Sequence, residues 1–338
     1  MTRAVERLWQ RGGVGAAALT PFSWLFAGVT AVRNAAYDRG LLATHELGAP
    51  AVSIGNLSVG GTGKTPVSAW VAQELLRRGE RPGILLRGYG DDEPLVHERL
   101  TPEAVVVANP DRVAGARAAR AAGATVLVLD DAFQHRRARR ALDIVLVAAE
   151  QGATARERRL PAGPLREGPR ALRRADLLVV TRKTASAAEA VAVGERWLAA
   201  AGLGAKLPLT CVHLAADSLR NTTGESQQDL SAIRGRRVLA VSAVGAPAAF
   251  EAQLGAAGAV VDSAAYPDHH PYHDADVHDL AARAQGVDLV VCTLKDAVKL
   301  WHRWPRQAPP LWYLSQSVVM ERGEREFAHL LGRLLERS

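Results

Sequence analysis

At 338 residues, nearly half of them apolar, about a quarter charged and none in a low-complexity tract, the chain is globular and long enough for two domains. A net charge of +7 favours an acidic partner such as nucleic acid, anionic lipid or a phosphorylated substrate. Two cysteines, Cys211 and Cys292, each inside an apolar run, exclude a disulfide framework or a zinc set and point to a reducing cytosol.

The amino-terminal run "VGAAALTPFSWLFAGVTAV" (14–32) carries no charge for nineteen residues, between Arg11 and Arg33. Nineteen residues just suffice to span a bilayer. Pro21 breaks the run, however, and Thr20, Ser23 and Thr30 dilute it. Basic flanks around Phe22, Trp24 and Phe26 favour a segment lying in the membrane interface over a buried core helix, a spanning helix or a signal peptide.

From residue 51 the pattern alternates short apolar runs with Ala/Leu/Arg-rich stretches. "AVSI" (51–54), "PGILL" (82–86), "AVVVA" (104–108), "TVLVLD" (125–130), "DIVLVA" (143–148) and "DLLVVT" (176–181) suit strands buried on both faces. "PDRVAGARAARAAG" (110–123) reads as a helix between two of them, with Gly123 as its C-cap. A second set follows: strands at 236–244, 259–267 and 288–294 with helices near 246–256 and 274–285, then a return strand near 309–319 and a last helix at 322–336. The expected fold is α/β, a P-loop-containing, doubly wound, mostly parallel sheet with helices on both faces, plus a smaller α/β carboxy-terminal domain. Boundaries are set at 1–40 for the amino-terminal membrane-interfacial helix, 41–214 for the nucleotide-binding core, 215–235 for a polar linker and 236–338 for the smaller domain.

The stretch "SIGNLSVGGTGKTP" (53–66) runs from a strand into glycines and then a helix, the context a phosphate loop requires. The chain has five lysines against thirty-seven arginines, so Lys64 here suggests a site that needs a compact point charge. Residues Ser58, Val59, Gly60, Gly61, Thr62, Gly63, Lys64 and Thr65 form the expected phosphate-binding set, with Lys64 on the β/γ oxygens and the Thr65 hydroxyl on Mg²⁺. Ser58 stands where the full pattern has its first glycine. Downstream, a buried strand ends in Asp130 and Asp131, which suits a Walker B acid holding Mg²⁺ or its water. GTP is disfavoured because "TLKD" (293–296) lacks the Asn-Lys pair that reads guanine, and Val59 occupies the place of the lysine that partitioning-type ATPases carry.

Nine stretches in one order carry a resemblance: "LTPFSWLFAGV", "GNLSVGGTGKTP", "LRGYG", "DEP" (92–94), "NPDRVAGA", "DDAFQHRR", "LPAGPLREG" (160–168), "PDHH" (267–270) and "TLKDAVKL" (293–300). The chain resembles the tetraacyldisaccharide 4′-kinase family of lipid A biosynthesis. That resemblance implies ATP and Mg²⁺ as cofactors and transfer of the γ-phosphate to the 4′-hydroxyl of an acylated glucosamine disaccharide 1-phosphate. It also implies a monomer at the cytoplasmic face of the bacterial inner membrane, with the anionic surface as a partner. The family pattern gives the base to Asp92, oriented by His269, with Lys64 as the third catalytic residue. Glu93, Asp130, Asp131 and Thr65 form the metal environment, and which carboxylate touches Mg²⁺ stays open. Arg112, His135, Arg136 and Arg166 are candidates for holding phosphates, and Tyr89 for shaping the cleft. Asp92 and His269 fall in different halves, so their joint action implies domain closure.

Blander readings accompany these. Asp91, Asp92 and Glu93 fit an acidic surface turn, and Asp92 is chosen over Asp91 because it directly precedes Glu-Pro. The run "RRARR" (136–140) suits a solvated edge, and Lys295 and Lys299 fit a surface helix nearly as well as a functional role. Ala132 replaces the family's usual glycine, which costs roughly 1 kcal/mol if that position needs a positive φ. The rival function is a peripheral membrane ATPase that switches a partner without a lipid acceptor. Nucleic acid is not expected as a partner, since no stacking aromatics interleave the arginine clusters.

Overall fold

The structure is a computed structural model that describes residues 9, 18–88, 92–150, 158–221, 226–245 and 247–336. Contacts divide the chain into two compact units. The larger takes residues 18–88, His97–His213 and 318–336; the smaller takes residues 92–96 and Leu214–Ser317.

The larger unit is built on parallel strands. They are β1 (Ala51–Asn56), β2 (Pro82–Leu86), β3 (Val105–Ala108), β4 (Val126–Asp130), β5 (Leu142–Ala148), β6 (Leu177–Arg182) and the first half of β7 (Leu209–Asn221). Their order is β7-β6-β5-β1-β4-β2-β3. The chain leaves β1 for one side of the sheet and returns to the other, so β1 lies at the switch point where such sheets bind ligands. The continuous apolar runs are explained by burial on both faces, except that β3, expected to be buried like the others, is a half-buried edge strand with a neighbour on one side only. Leu85, Leu127 and Leu129 pack with Val113, Ala116 and Ala119 of α4 (Arg112–Ala121). Alternate residues Ile84, Val126 and Val128 are equally inaccessible, and α2 (Lys64–Arg77) lies against β1, β2 and β4. Each such Val, Leu or Ile contributes roughly 1.5–3 kcal/mol relative to exposure.

Helix α1 (Thr20–Asp38) belongs to this unit. Its buried Ser23 accepts from the Ala162 amide at 2.9 Å and donates to the Arg159 carbonyl at 2.8 Å. Asn34 donates to Glu167 at 2.7 Å. These polar contacts fix one face of the helix and leave Phe22, Trp24, Leu25, Val29 and Val32 exposed, Trp24 at 72%. Among the described residues no helix is long and apolar enough to cross a membrane. Residues 14–17 of the apolar run lie outside the described residues.

In the smaller unit, β9 (Arg237–Ser242), β10 (Val260–Ala265), β11 (Leu289–Cys292) and β12 (Leu311–Arg322) form a parallel set in the order β10-β9-β11-β12. Period-two alternation sorts their side chains onto two faces. Leu239, Val241, Val290, Cys292, Leu311 and Tyr313 pack with helices α7 (Asp274–Ala284) and α8 (Leu294–Leu300). Val238, Ala240, Leu289, Val291 and Trp312 pack with α6 (Pro247–Ala256). Both units are therefore doubly wound. Helix α5 (Ala187–Ala201) covers β5 and β6 in the larger one, and α9 (Glu324–Leu335) closes the chain.

The described residues within 215–235, expected as a polar linker, carry secondary structure. They continue β7 to Asn221, add the short strand β8 (Gln227–Asp229), paired antiparallel with β7 at Ser218–Asp229, and end in a 3-10 turn. Their polar composition fits a short edge strand whose side chains are largely exposed. Both cysteines are free and buried in strands, as their apolar surroundings require.

Candidate active site

In the larger unit the site grows from the end of β1. Ile54 registers with Asp130 of β4, which brings the phosphate-loop strand and the acidic strand end side by side. Gly60 at φ 114° and Gly63 at φ 76° make the turn that a side chain would oppose. Gly63 caps α2, whose first turn carries Lys64 and no acid, leaving its amides and dipole open to an anion. Asn56 braces the loop by donating to Thr62 at 2.9 Å, and Thr181 of β6 donates to the Thr62 carbonyl at 3.0 Å.

The first half of the loop is zipped to residues 164–166. Ser58 bridges Leu165, the Val59 amide donates to the Pro164 carbonyl at 2.9 Å, and the Arg166 amide donates to Leu57 at 2.7 Å. Ser58 therefore sits in extended backbone where no glycine is needed. Val59 and Thr62 have their amides taken by the Pro164 and Gly60 carbonyls, so neither offers an N–H to an anion.

Asp130 is 6% exposed. It accepts from Ser68 at 3.0 Å through Oδ1 and faces His97 Nε2 at 3.0 Å through Oδ2. Burial alone would raise its pKa, but His97, Lys64 and Ser68 together hold the carboxyl below the usual range. Asp131 is more open and pairs through Oδ1 with Arg166 at 2.7 Å and Lys64 at 3.7 Å. Its φ of 50° places the left-handed strain here and not at Ala132, which is fully buried and carries no positive φ. The alanine is therefore harmless. His97 and Ser68 were not singled out from sequence, because neither lies in a motif and only the packing of their helices reveals them.

Three phosphate-holding candidates are engaged differently from expectation. Arg112, 3% exposed, donates to the carbonyls of Asn109 at 2.9 Å and Asp130 at 3.0 Å and so braces the end of β4. His135 is pushed down to about 4 by burial, with Arg112 and Arg140 adding to the shift. It is a neutral ring at pH 7 and not a cation for phosphate. Arg136 donates to Asp38 at 2.6 Å and Asn34 at 2.9 Å and stacks over Tyr37, tying α1 to the core. The whole run is paired: Arg137 with Asp111, Arg139 with Glu46 and Arg140 with Asp143. Arg166 alone of the four candidates stands with Lys64 and Asp131.

The smaller unit holds the second group. Asp92 opens α3 (Asp92–Leu100) and is 4% exposed. His269 Nδ1 lies 3.5 Å and Lys299 Nζ 3.2 Å from its Oδ2. Both are ion-pair contacts without hydrogen-bond alignment at that oxygen. Burial opposes ionisation of Asp92, but His269 and Lys299 outweigh it and hold the carboxyl well below the usual range. Asp92 in turn raises His269, against partial desolvation.

His269 has φ 60° and Tyr272 φ 53°, so their loop needs outside support. The His269 amide donates to the Ala243 carbonyl at 3.1 Å, while fully buried Asp296 accepts from the Ala243 amide at 3.1 Å, Tyr272 at 2.9 Å and Thr293 at 2.6 Å. Asp92 and His269 thus meet inside one unit, because residues 92–96 belong with Leu214–Ser317. No closure is needed to join that pair. Glu93 follows in the same first turn, half-buried, and Thr65 is half-buried in the first turn of α2. Tyr89 and Asp91 lie outside the described residues.

Among the described residues no three His, Cys, Asp or Glu side chains converge as a metal cluster. Mg²⁺ keeps waters and takes one or two carboxylates plus phosphate oxygens rather than a full protein cage. The hard oxygens of Asp130 and Asp131 beside Lys64 fit such an ion.

The sequence matches the family description tetraacyldisaccharide-1-P 4′-kinase over residues 15–92 and 90–336. The chain belongs to the tetraacyldisaccharide-1-P 4′-kinase family. Among proteins bearing the name tetraacyldisaccharide 4′-kinase, one from Anaeromyxobacter dehalogenans (strain 2CP-C) is 40% identical over 328 residues, 88% of this chain and 86% of its own. Another from Anaeromyxobacter sp. (strain Fw109-5) is 38% identical across 99% of this chain and 97% of its own. The solved LpxK structure from Aquifex aeolicus in complex with ATP is similar at a TM-score of 0.75 and 28% identity, covering 95% of this chain and 99% of that one.

Proposed function

We propose that this kinase-family chain transfers the γ-phosphate of ATP to the 4′-hydroxyl of a tetraacyldisaccharide 1-phosphate in lipid A biosynthesis. The observation that carries the reading is the buried Asp92 carboxylate held against His269 in a chain that also has a phosphate loop. A nucleotide switch has no use for such a pair, whereas phosphoryl transfer to an alcohol needs a group to receive the hydroxyl proton.

Gly60–Thr65 and the amino terminus of α2 would cradle the phosphates, with Lys64 and Arg166 countering the charge on the transferring group. Asp130 and Asp131 would hold Mg²⁺, which neutralises phosphate charge when bound. Asp92 would orient the acceptor hydroxyl. In a loose transition state the hydroxyl keeps its proton until late, so a carboxylate of low basicity is adequate when well placed. His269, with its raised affinity for a proton, is suited to relay that proton onward. The exposed face of α1, with Phe22, Trp24 and Leu25, would lie in the interface at the cytoplasmic side of the inner membrane and bring the site to its lipid.

The test is phosphate transfer by purified protein in detergent with Mg-ATP and a tetraacyldisaccharide 1-phosphate, followed by the mass of the lipid. A gain of one phosphate, lost in Asp92→Ala while ATP binding is kept, supports the reading. ATP hydrolysis with the lipid unchanged would sink it.

A further inference from the structure

Lys299 is one of only five lysines in the chain, and its side chain is 13% exposed. It stands in the last turn of α8, with Nζ 3.2 Å from Asp92 Oδ2 and donating to the His270 carbonyl at 3.4 Å. One ammonium thus contacts both segments that supply the acceptor-side pair: α3, which carries Asp92, and the loop that carries His269.

The choice of residue is informative in a chain so biased toward arginine. A guanidinium beside a carboxylate tends to engage both oxygens as a fork, which would leave neither for an acceptor hydroxyl. An ammonium is a point charge with three donors and takes a single oxygen. His269 approaches that same Oδ2, so both cations gather on one side of the carboxylate. The contact with His270 matters for a separate reason. His269 and Tyr272 both occupy the left-handed region, and each tie to the loop between them opposes its relaxation.

We propose that Lys299 is a positioning residue for the phosphoryl acceptor end: it clamps Asp92 by Oδ2 and the His269 loop by the His270 carbonyl, so that Oδ1 is presented to the hydroxyl. The proposal rests on the kinase reading above, in which Asp92 meets the hydroxyl. It predicts an effect on turnover with little effect on nucleotide affinity, because the clamp touches no residue of the phosphate loop.

The experiment compares wild type, Lys299→Met, Lys299→Cys and Asp92→Asn for lipid phosphorylation and for ATP affinity. All are measured at a temperature where each variant melts cooperatively above the assay. Lys299→Met is expected to lower kcat on the order of 10²-fold, the usual consequence of misplacing a reacting group by about 1 Å, with KM for ATP within about twofold. Lys299→Cys should fall equally and recover most of its kcat after alkylation with 2-bromoethylamine, which restores an ammonium on a chain of near-lysine length. Cys211 and Cys292 are 1% and 0% exposed, so treated wild type serves as an unmodified control. A kcat within about threefold of wild type in Lys299→Met overturns the proposal. So does a folded Lys299→Cys whose kcat does not rise on alkylation, or a loss in kcat matched by an equal rise in KM for ATP, which marks general damage. If Asp92→Asn keeps full activity, the base assignment fails and this inference with it. If Asp92→Asn is inactive and Lys299→Met is active, only the inference fails.

Discussion

Each unit contains a lysine paired with an aspartate, and the two pairs are built for opposite purposes. Lys64 and Asp131 stand 3.7 Å apart with the aspartate side chain 37% exposed, and Arg166 shares the same oxygen. Lys299 and Asp92 stand 3.2 Å apart with the aspartate side chain 4% exposed. An exposed, long ion pair contributes about 0–1 kcal/mol and yields readily to a phosphate that competes for the lysine. A buried pair is costly to break, on the order of 3–5 kcal/mol, because one charge is left without its partner. The phosphate-loop pair is therefore releasable and the acceptor-side pair is permanent. In the proposed mechanism, a kinase that binds a nucleotide reversibly while keeping its acceptor-orienting group fixed needs one of each.

The largest effect that would sharpen this contrast is on nucleotide affinity. Lys64→Met should weaken ATP binding and lower turnover by roughly 10²-fold or more, since a cation aimed at the transferring charge is lost. Asp92→Ala should leave ATP affinity near wild type while turnover falls roughly 10²–10⁴-fold. Isothermal titration beside the lipid assay separates the two, and equal losses of affinity would break the contrast.

Stability supplies the next test. Tyr272→Phe removes a 2.9 Å donor from fully buried Asp296 and should destabilise by about 1.5–3 kcal/mol in urea titration. Asp131→Asn removes the charge from two partly exposed pairs, with Arg166 and Lys64, and should shift the midpoint by about 1 kcal/mol or less. The reverse order would show that the acceptor-side unit is the looser of the two.

The smallest effect concerns acid stability in the larger unit. His135 has its pKa lowered from 6.5 to about 4, so between those values the unfolded chain binds a proton that the folded one does not. Stability should therefore fall as pH drops from 6.5 toward 4 and change little from this group above 6.5. His135→Gln should flatten that limb in pH-resolved urea melts.

Much of this was readable along the chain. The continuous apolar runs other than the edge strand β3 reported strands buried on both faces, and "GGTGKT" with the paired acids at the end of β4 marked the strand ends that the structure sets side by side, because such a loop is contiguous backbone at a strand–helix junction. Local composition could not say that Arg112, 3% exposed, braces β4, or that Arg136 ties α1 to the core. A guanidinium reads the same in sequence whether it faces a ligand or a carbonyl. The pairing of β8 with β7 was hidden for a related reason: polar residues mark an edge strand as well as a linker.

The sequence by itself determined the α/β class and a glycine loop with Lys64 at a strand–helix junction, since each depends on neighbouring residues or a recurring local motif. Only the tertiary structure decided what surrounds them. It drew residues 92, 269 and 299 into one unit, placed His97 on Asp130, and left one lysine-paired aspartate open to solvent while burying the other. Those outcomes turn on distance and desolvation between segments remote in sequence, and electrostatic strength follows from both.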